Sequence, residues 1–360
     1  MIMEGLHIKQ VRNLRETQLI PCPQLNFLVG KNASGKTAVL EAIFLLARGR
    51  SFRTPRVLEV VQYGQTSLIV NGNIQHEKDG LVSTGLEKSY GKTTIRHNNT
   101  TITTISEQAR NVPVVLATQD SHILISGGPK QRRHWLDWAM FHVEQEYLET
   151  WKSYMKALRQ RNALLKRRTS SRDLYRGWDE AMVESGTIIS SLREGFLVEL
   201  KAAARSILEG VFPDDLNLSL FVGWPHKRSF RDMLDEARET DLEAGYTRWG
   251  PHHADIKMTI RNNNISSVFS RGQIKLFVCL LMLAQAQVLS NRTGVKPVVL
   301  MDDYKAELDK HASEHLLTFI GKAGFQAFLS SSETGVSEQG GWERKVFHVE
   351  QGKISVNTIS

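Results

Sequence analysis

An eight-residue run near the N-terminus has the residue types and the spacing needed to hold a chain of phosphates, since it fits the pattern G-x-x-x-x-G-K-[S/T]. Small residues let successive backbone N–H groups curve around phosphate oxygens, the lysine adds a positive charge, and the final threonine offers a hydroxyl to Mg²⁺. The run therefore predicts a site for a nucleotide triphosphate with Mg²⁺. Its members are Gly30, Lys31, Asn32, Ala33, Ser34, Gly35, Lys36 and Thr37.

The residues on either side of this run predict the elements that position it. Residues 25–29 form a mainly apolar stretch that predicts a short buried strand, and residues 38–47 carry apolar side chains typical of a buried helix. The N-terminus of such a helix would face the phosphates, where the helix dipole and the free backbone N–H groups favour anions. This strand, loop and helix order is the context in which the pattern binds nucleotide.

A pair of acidic residues supplies a second part of the same chemistry. Residues 296–301 give the strongest buried-strand pattern in the chain, and Asp302 and Asp303 follow directly. An acidic side chain at the carboxyl end of such a strand typically holds Mg²⁺ or a metal-bound water in nucleotide-hydrolysing proteins. Because the glycine-rich loop and the acidic pair must meet on one sheet, the middle of the chain is predicted to be an insertion.

The patterns along the chain agree with an insertion. Strand-like runs dominate up to about residue 120, apolar residues recur at helical spacing between about 131 and 209, and strands return after about 216. We therefore predict an α/β head domain assembled from both chain ends, with a mainly helical arm between them. The predicted segments are 1–120 and 231–360 for the head and 121–230 for the arm.

Composition limits the function classes. The 360 residues include 41% hydrophobic residues, enough for a sizeable core, and 46 Lys and Arg against 38 Asp and Glu give a formal charge of +8, which suits an acidic partner. Cys22 and Cys279 are far apart and indicate neither a disulfide framework nor a zinc site. Neither a secretion signal nor a long apolar span is indicated, so we expect a cytoplasmic protein.

Positive charge is concentrated in the predicted arm. Residues 152–176 contain nine basic residues and one acidic residue, Asp173. Such a stripe can neutralise phosphates and give salt-sensitive binding to DNA, although a solvated helical face would look the same. Trp151, Tyr154 and Trp178 lie at helical spacing and are expected in the core, so we favour contact with a duplex backbone over base stacking. The predicted DNA-binding residues are Lys152, Lys156, Arg159, Arg161 and Arg168, with Arg53 and Lys130 as further candidates.

A third motif precedes a long apolar helix. Ser270, Gly272 and Gln273 stand at the start of the apolar stretch 274–289, where a serine cap and free N–H groups could face an anion. Alone, this pattern fits an ordinary capped helix. The order of phosphate loop, Ser-x-Gly-Gln, acidic strand end and Glu-Leu-Asp at 307–309 resembles the ABC-type ATPases of the SMC class.

Within that class, the chain resembles the RecF family of bacterial DNA replication and repair proteins over nearly its whole length. The strings that carry this resemblance are Leu-Glu-Ala-Ile at 40–43, Gly-Arg-Ser-Phe-Arg-Thr at 49–54, Gly-Pro at 128–129, the basic run at 158–166, Gly-Pro-His at 250–252 and Ser-Arg-Gly-Gln at 270–273.

The resemblance implies a homodimer formed on ATP binding, in which two heads lie head to tail and share each ATP. It implies that the phosphate loop and Asp302 hold ATP and Mg²⁺, and that Asp303 orients the attacking water. It places Gln119 at Mg²⁺ and that water, and Ser270, Gly272 and Gln273 at the γ-phosphate of the partner's ATP. Arg12 and Asn13 are weaker candidates for nucleotide contacts, and Asp309 is expected in the loop that crosses the dimer.

The implied function is an ATP-driven clamp on duplex DNA near single-strand gaps that supports recombinase loading through recombination mediator proteins. Its ATPase would be weak, stimulated by DNA, and used as a switch. One alternative is an SMC-like ATPase that drives a separate nuclease or defence effector. A metabolic P-loop kinase is disfavoured by the distance between the motifs.

Several positions depart from the family pattern, including residues 330–332, near which Thr or His is more usual than the serines of this chain. Family members usually have Ser-Pro-Glu-Asp where residues 117–120 read Ala-Thr-Gln-Asp, Arg at the position of His253, and Ser at the position of Ala306. Such changes can slow hydrolysis or weaken coupling across a dimer, while the phosphate loop remains intact.

Overall fold

The computed structural model describes residues 1–98, 100–102, 104–213, 215–333 and 340–357. The chain divides into two compact units. Unit 1 contains Met1–Ser121 together with the chain from Arg271 onward, and unit 2 is His122–Ser270. Both chain ends therefore build one unit, and the second unit is inserted between them in sequence, as the positions of the motifs predict.

The N-terminal part of unit 1 is rich in strands. Its elements are β1 (Ile2–Val11), β2 (Leu14–Leu19), β3 (Leu25–Val29), α1 (Lys36–Arg48), β4 (Ser67–His76), β5 (Gly80–Ser89), β6 (Lys92–His97), β7 (Thr100–Ile102), α2 (Ile105–Asn111) and β8 (Val114–Ala117).

Unit 2 is mainly helical, with a small antiparallel sheet. Its elements are α3 (Ile123–Ser126), α4 (Pro129–Val143), α5 (Tyr147–Lys166), α6 (Asp173–Leu208), β9 (Leu216–Phe221), α7 (Phe230–Glu236), α8 (Arg238–Ala244), β10 (Asp255–Ile260), β11 (Asn263–Asn264) and α9 (Ile265–Val268).

The predicted boundary at residue 231 is too early. Strand β9 pairs antiparallel with β10 along its whole length, from Asp255 opposite Phe221 to Ile260 opposite Leu216. This pairing keeps the chain in unit 2 until Ser270, so the head resumes at Arg271. The strand patterns after 216 were read correctly as strands, but they belong to a different sheet.

The C-terminal part of unit 1 supplies the remaining strands of the sheet that contains β3 and β8. Its elements are α10 (Arg271–Thr293), β12 (Val298–Met301), α11 (Lys310–Ala323), β13 (Ala327–Ser331), β14 (Arg344–Glu350) and β15 (Lys353–Asn357).

The central sheet of unit 1 has the order β15-β14-β3-β13-β12-β8. All its neighbouring strands are parallel except β14 and β15, which are antiparallel. Strands β3, β12 and β13 are buried at every residue, as expected for parallel strands covered on both faces. Because β3, β13 and β12 are neighbours, the residues that follow β3 and β12 meet at one edge of the sheet.

A second sheet of unit 1 is antiparallel and has the order β2-β1-β4-β5-β6-β7. Apolar side chains of α1 share one hydrophobic core with residues of β1 and β4 and with residues of the central sheet, such as Leu28, Leu300 and Phe328. Helix α1 ends at Gly49, whose φ of 61° suits a glycine in the left-handed region. The helix that follows the phosphate loop is thereby fixed by packing on its flanks.

Within the described residues, one helix is long and apolar enough to pass a test for a membrane span. This helix is Arg271–Thr293, and 72% of its most apolar window is buried inside the protein. It contributes side chains such as Phe277 and Leu280 to the interior, which accounts for its composition.

Candidate nucleotide-binding site

The glycine-rich loop leaves β3 and enters α1 at Lys36, as the sequence predicts. Gly30 is required by space, because a Cβ built there would lie 2.2 Å from the carbonyl oxygen of Val349 on β14. The other side of the loop is held by the backbone N–H of Gly352, which donates to the carbonyl of Ser34 at 2.8 Å. The side chain of Asn13 donates to that same carbonyl at 3.0 Å. The loop is thus shaped by parts of unit 1 that are distant in sequence.

The ammonium of Lys36 is held at the loop itself. Its Nζ donates to the carbonyl of Gly30 at 2.6 Å and to that of Lys31 at 2.9 Å, and the residue is only 8% exposed. Burial lowers the pKa of Lys36, while the carboxylates of Asp303 and Asp302 act in the opposite direction. A buried cation at the loop is suited to an anionic ligand, and the two carboxylates are suited to a metal ion bound with that ligand.

Thr37 and Asp302 come together although they lie near opposite ends of the chain. The hydroxyl of Thr37 donates to Asp302, with Oγ1 2.9 Å from Oδ1 and 3.2 Å from Oδ2. Ser330, on the neighbouring strand β13, donates from its hydroxyl to Asp302 Oδ1 at 2.7 Å. The sequence did not single out Ser330 for this role, although the position of a serine near the end of a buried strand was a usable signal.

Asp303 follows directly and faces a different residue. Its Oδ2 accepts a hydrogen bond from Gln119 Nε2 at 2.8 Å, and its backbone N–H donates to Ser330 Oγ at 2.7 Å. Its φ of 50° places it in the left-handed region, which Asp tolerates better than most residues. This backbone turn lets consecutive acids take different partners, with Asp302 at Thr37 and Asp303 at Gln119.

These oxygen atoms fit the chemistry of Mg²⁺. The Thr37 hydroxyl and the Asp302 carboxylate are adjacent hard oxygen donors beside the phosphate loop, and Mg²⁺ is usually held by one or two carboxylates together with substrate phosphates and water. The amide of Gln119 donates to Asp303, the neighbour of Asp302, and lines the same cavity. The residues that the sequence assigned to the metal are therefore clustered.

A cavity of about 520 Å³ opens over the loop. Arg12, Asn13 and Arg53 line it together with the loop, Gln119 and both acids. Arg12 forms a bidentate pair with the buried carboxylate of Glu41, at 2.8 and 2.9 Å, and this hydrogen bonding raises the pKa of Arg12. Arg53, which the sequence grouped with the DNA candidates, also lines this cavity.

The third motif lies at the start of α10. Gly272 and Gln273 are in its first turn, and neither is among the described residues that line the cavity. Ser270 precedes the helix and is exposed, as is Gln273. A Cβ on Gly272 would lie 2.6 Å from the carbonyl oxygen of Glu307, so glycine allows the helix start to approach the segment after the acids. The Gly272–Gln273 part of the motif lies outside its own chain's cavity.

Other candidate positions have clear structural roles. Asp309 is the N-cap of α11, and its side chain accepts from the N–H of Ala312 at 2.7 Å. At the position where family members usually have serine, the carbonyl of Ala306 accepts from Lys275. In unit 2, His253 lies 3.3 Å from the carbonyl of Thr247.

The basic stripe, which runs along α5 and the turn after it, is largely exposed. Lys156, Arg159 and Arg168 are exposed, and Lys152 is exposed while pairing with Glu149 at 2.7 Å. Tyr154 is completely buried, as predicted for a core aromatic residue, whereas Trp151 and Trp178 are only partly buried. Four of the five assigned DNA-binding residues therefore present charge to solvent.

Arg161 is the exception, and its assignment to DNA is corrected. It is 1% exposed, and its guanidinium donates to Asp179, Asp241 and Thr247 at 2.7 to 2.8 Å. Asp241 is itself fully buried, so burial raises its pKa while the bond from Arg161 opposes the rise. Arg161 holds α5 to the rest of unit 2 and has no charge to offer to a phosphate.

We predict that Arg161→Met destabilises the protein by about 3–5 kcal/mol, because the buried carboxylate of Asp241 and the partly buried one of Asp179 lose the guanidinium that donates to both. Arg159→Met, in the same helix but exposed, should change the free energy of unfolding by less than about 0.5 kcal/mol. Chemical denaturation of both variants measures the difference. Equal stabilities would contradict a structural role for Arg161.

Comparison with known families shows to which class of protein this chain belongs. The model of the RecF/RecN/SMC N terminal domain matches residues 2–355. The DNA replication and repair protein RecF of Pseudomonas putida is 35% identical over 361 residues, covering 99% of this chain and 98% of the relative. The protein of that name from Vibrio vulnificus is 34% identical over 357 residues, covering 98% and 99%. The chain belongs to the RecF family.

Solved structures agree with this assignment. A structure described as the recombination mediator protein RecF with ATP in the RecFOR pathway matches with a TM-score of 0.87 and 26% identity, over 99% of this chain and 97% of that one. An SMC head bound to a winged-helix domain of ScpA matches with a TM-score of 0.58 at 14% identity, which shows the shared fold. The predicted ABC-type ATPase fold is confirmed.

Proposed function

We propose that this protein is an ATP-dependent DNA-binding protein of recombinational repair and replication-fork maintenance, with an ATPase that acts as a switch. Family membership supports the role in DNA replication and repair. The single observation that carries the ATP site is the contact of Thr37 Oγ1 with Asp302 Oδ1 at 2.9 Å, because it joins the phosphate loop to the acidic strand end. The RecF-ATP structure is a full-length match and agrees with this ligand.

In this proposal the phosphate loop, residues 30–37, holds the phosphates of ATP. The ammonium of Lys36 exchanges its loop carbonyl partners for phosphate oxygens, and Arg12, Asn13 and Arg53 line the remaining cavity. Thr37, Asp302 and Gln119 would hold Mg²⁺, which offsets the charge of the phosphates when bound. These assignments rest on the types of donor and on their shared position at one edge of the sheet.

Hydrolysis needs little protein chemistry beyond positioning and charge stabilisation. Asp303 is the residue suited to orient or activate the attacking water, since its carboxylate faces the cavity rim beside Gln119. Gln119 holds that carboxylate and would also contact the water. Because each head supplies only part of the site, we expect slow hydrolysis. We also expect DNA to stimulate it.

The remaining part of the site would come from a second copy. Ser270, Gly272 and Gln273 carry the signature pattern, and the Gly272–Gln273 part lies outside its own cavity. The start of α10, where the helix dipole favours an anion, suits the γ-phosphate of an ATP held by the partner. ATP would thus form a homodimer through contacts that exist only in the triphosphate state, and hydrolysis would release it.

DNA would bind along the exposed basic residues of α5 and of the turn that follows it, chiefly Lys152, Lys156, Arg159 and Arg168. Contacts of this kind neutralise phosphates without reading sequence. The dimer would then clamp duplex DNA near single-strand gaps and support recombinase loading together with recombination mediator proteins. The alternative, an ATPase that drives a nuclease or defence effector, has no support from the relatives, which are named for replication and repair.

The test of this function is DNA binding to duplex, single-stranded and gapped substrates, each with ATP, with ADP and without nucleotide. We expect ATP to strengthen binding to duplex and gapped DNA and to have little effect on single strands. Affinity that is the same in all three nucleotide conditions would contradict an ATP-dependent clamp.

Charge reversal in the stripe provides a sharper test of the DNA surface. In the double variant Arg159→Glu with Arg168→Glu, we expect weaker duplex binding and a shallower dependence of affinity on salt, by about 1–2 in the log–log slope. Lys257→Glu with Arg205→Glu is the matched control, since both residues are exposed in the same unit but lie off α5. An unchanged titration in the α5 variant would remove the stripe from the DNA interface.

A further inference from the structure

Lys275 is a buried cation that neither the nucleotide chemistry nor the DNA surface uses. It lies in the second turn of α10, three residues after Gly272, and is only 5% exposed. Its Nζ donates to the backbone carbonyl of Asp303 at 2.9 Å and also to that of Ala306. A lysine ammonium is costly to bury, so these carbonyl contacts must offset its lost hydration.

The segment that Lys275 contacts has an unusual backbone. Asp303 and Glu307 both have positive φ, 50° and 63°, so the chain between them curls and directs its carbonyls to one side. The carbonyls of Asp303 and Ala306 reach Lys275, while that of Glu307 lies against Gly272. The start of α10 and the segment 303–307 therefore meet at three points.

The same segment is connected to the nucleotide site on its other side. The N–H of Asp303 donates to Ser330 Oγ, Ser330 donates to Asp302, and Asp302 accepts from Thr37. Every link in this series is 2.7 to 2.9 Å long. A continuous set of hydrogen bonds therefore runs from the phosphate loop to Lys275.

The charges around Lys275 are consistent with an ammonium held at this position. Burial lowers the pKa of Lys275, and the carboxylates of Asp303, Glu307 and Asp302 and the nearby thiol of Cys279 act against this. The nearby carboxylates therefore favour the charged form of Lys275 on the side of α10 that faces the acids.

We propose that Lys275 is a positioning residue that couples the acids of one head to the signature segment, residues 270–273, that this head offers to a second copy. The proposal rests on the proposed ATP-dependent dimer. A rearrangement of Asp302 and Asp303 around ATP would move the carbonyls of Asp303 and Ala306, and Lys275 would transmit this to the first turn of α10. ATP binding to a head's own site would thereby determine whether its signature segment can complete the partner's site.

The test uses Lys275→Met in the full chain, since methionine keeps the unbranched length but removes the charge and all donors. We expect ATP binding to the monomer, measured with a fluorescent ATP analogue, to stay within about threefold of wild type. ATP-driven dimerisation, measured by sedimentation velocity, should weaken by about 10- to 100-fold, the effect expected for lost charge-assisted hydrogen bonds. Lys275→Arg, which keeps charge and donors, should recover part of the loss.

Lys296→Met is the matched control. Lys296 is a half-buried lysine of unit 1 whose Nζ also donates to a backbone carbonyl, that of Ala323 at 2.9 Å, but it does not line the cavity. We expect this variant to bind ATP and to dimerise as wild type does. Equal dimerisation of Lys275→Met and wild type would overturn the proposal, whereas a wild-type protein that stays monomeric with ATP would overturn the proposed function itself.

If Lys275→Met does not fold, hydrogen exchange on the wild-type protein tests the coupling through Lys275 instead. At protein concentrations too low for dimerisation, a non-hydrolysable ATP analogue should increase protection of 303–307 and of 272–276 together. Protection confined to 303–307 would contradict coupling through Lys275.

Discussion

In Lys36→Arg, ATP hydrolysis falls by about 100-fold or more, and ATP no longer produces a dimer. The ammonium of Lys36 sits in a space bounded by the carbonyls of Gly30 and Lys31, at 2.6 and 2.9 Å. A planar guanidinium is larger and cannot take the same position, so the phosphates lose a preorganised point charge. An ATPase assay and sedimentation with ATP measure the two effects.

Lys31→Arg is the control for this prediction, because Lys31 belongs to the same loop but its side chain is exposed. It should hydrolyse ATP and dimerise nearly as wild type does. Both variants should keep the thermal stability of the wild-type monomer, so that a loss in Lys36→Arg is a loss of function. A Lys36→Arg protein that still dimerises with ATP would contradict the role given to the loop.

Asp303→Asn is expected to have the opposite effect on assembly. Hydrolysis should fall by about 100- to 1,000-fold, because the carboxylate that orients the water is lost. The ATP-bound dimer should persist, since Asn tolerates the positive φ at this position and its amide oxygen can still accept from Gln119. Sedimentation after long incubation with ATP should show a dimer that wild type has already released.

Asp79→Asn, in the turn between β4 and β5, makes the same chemical change away from the cavity. It should leave hydrolysis and dimer lifetime unchanged. Normal turnover in Asp303→Asn would show that another group orients the water, and loss of its ATP-bound dimer would show that Asp303 serves assembly instead.

Much of the fold could be predicted because its strongest patterns are local. The buried strands β3 and β12 are short apolar runs, α5 and α6 have helical spacing, and the insertion follows from the separation of the motifs. The boundary at 231 was wrong because the pairing of β9 with β10 is a contact between residues that are distant in sequence. Strand patterns alone do not reveal which sheet a strand joins.

In the candidate site, too, residues in local sequence motifs were predicted, whereas residues that act through distant contacts were not. Lys36, Thr37 and Asp302 were predicted from short local motifs, a glycine-rich loop and an acidic pair at the end of a buried strand. Ser330 and Lys275 were missed because each acts through the backbone or side chain of a distant residue. Arg161 was misassigned because a charge count does not tell a buried ion pair from an exposed cation, and only the burial of Asp241 reveals the difference.

The central claim is that the phosphate loop is half of a site that a second copy completes, and sedimentation velocity tests it most directly. Wild type and Ser270→Arg are compared without nucleotide, with ADP and with ATP. The account predicts a wild-type dimer with ATP only, and a Ser270→Arg protein that binds ATP but remains a monomer. A wild-type protein that is monomeric with ATP, or a Ser270→Arg protein that dimerises normally, would contradict it.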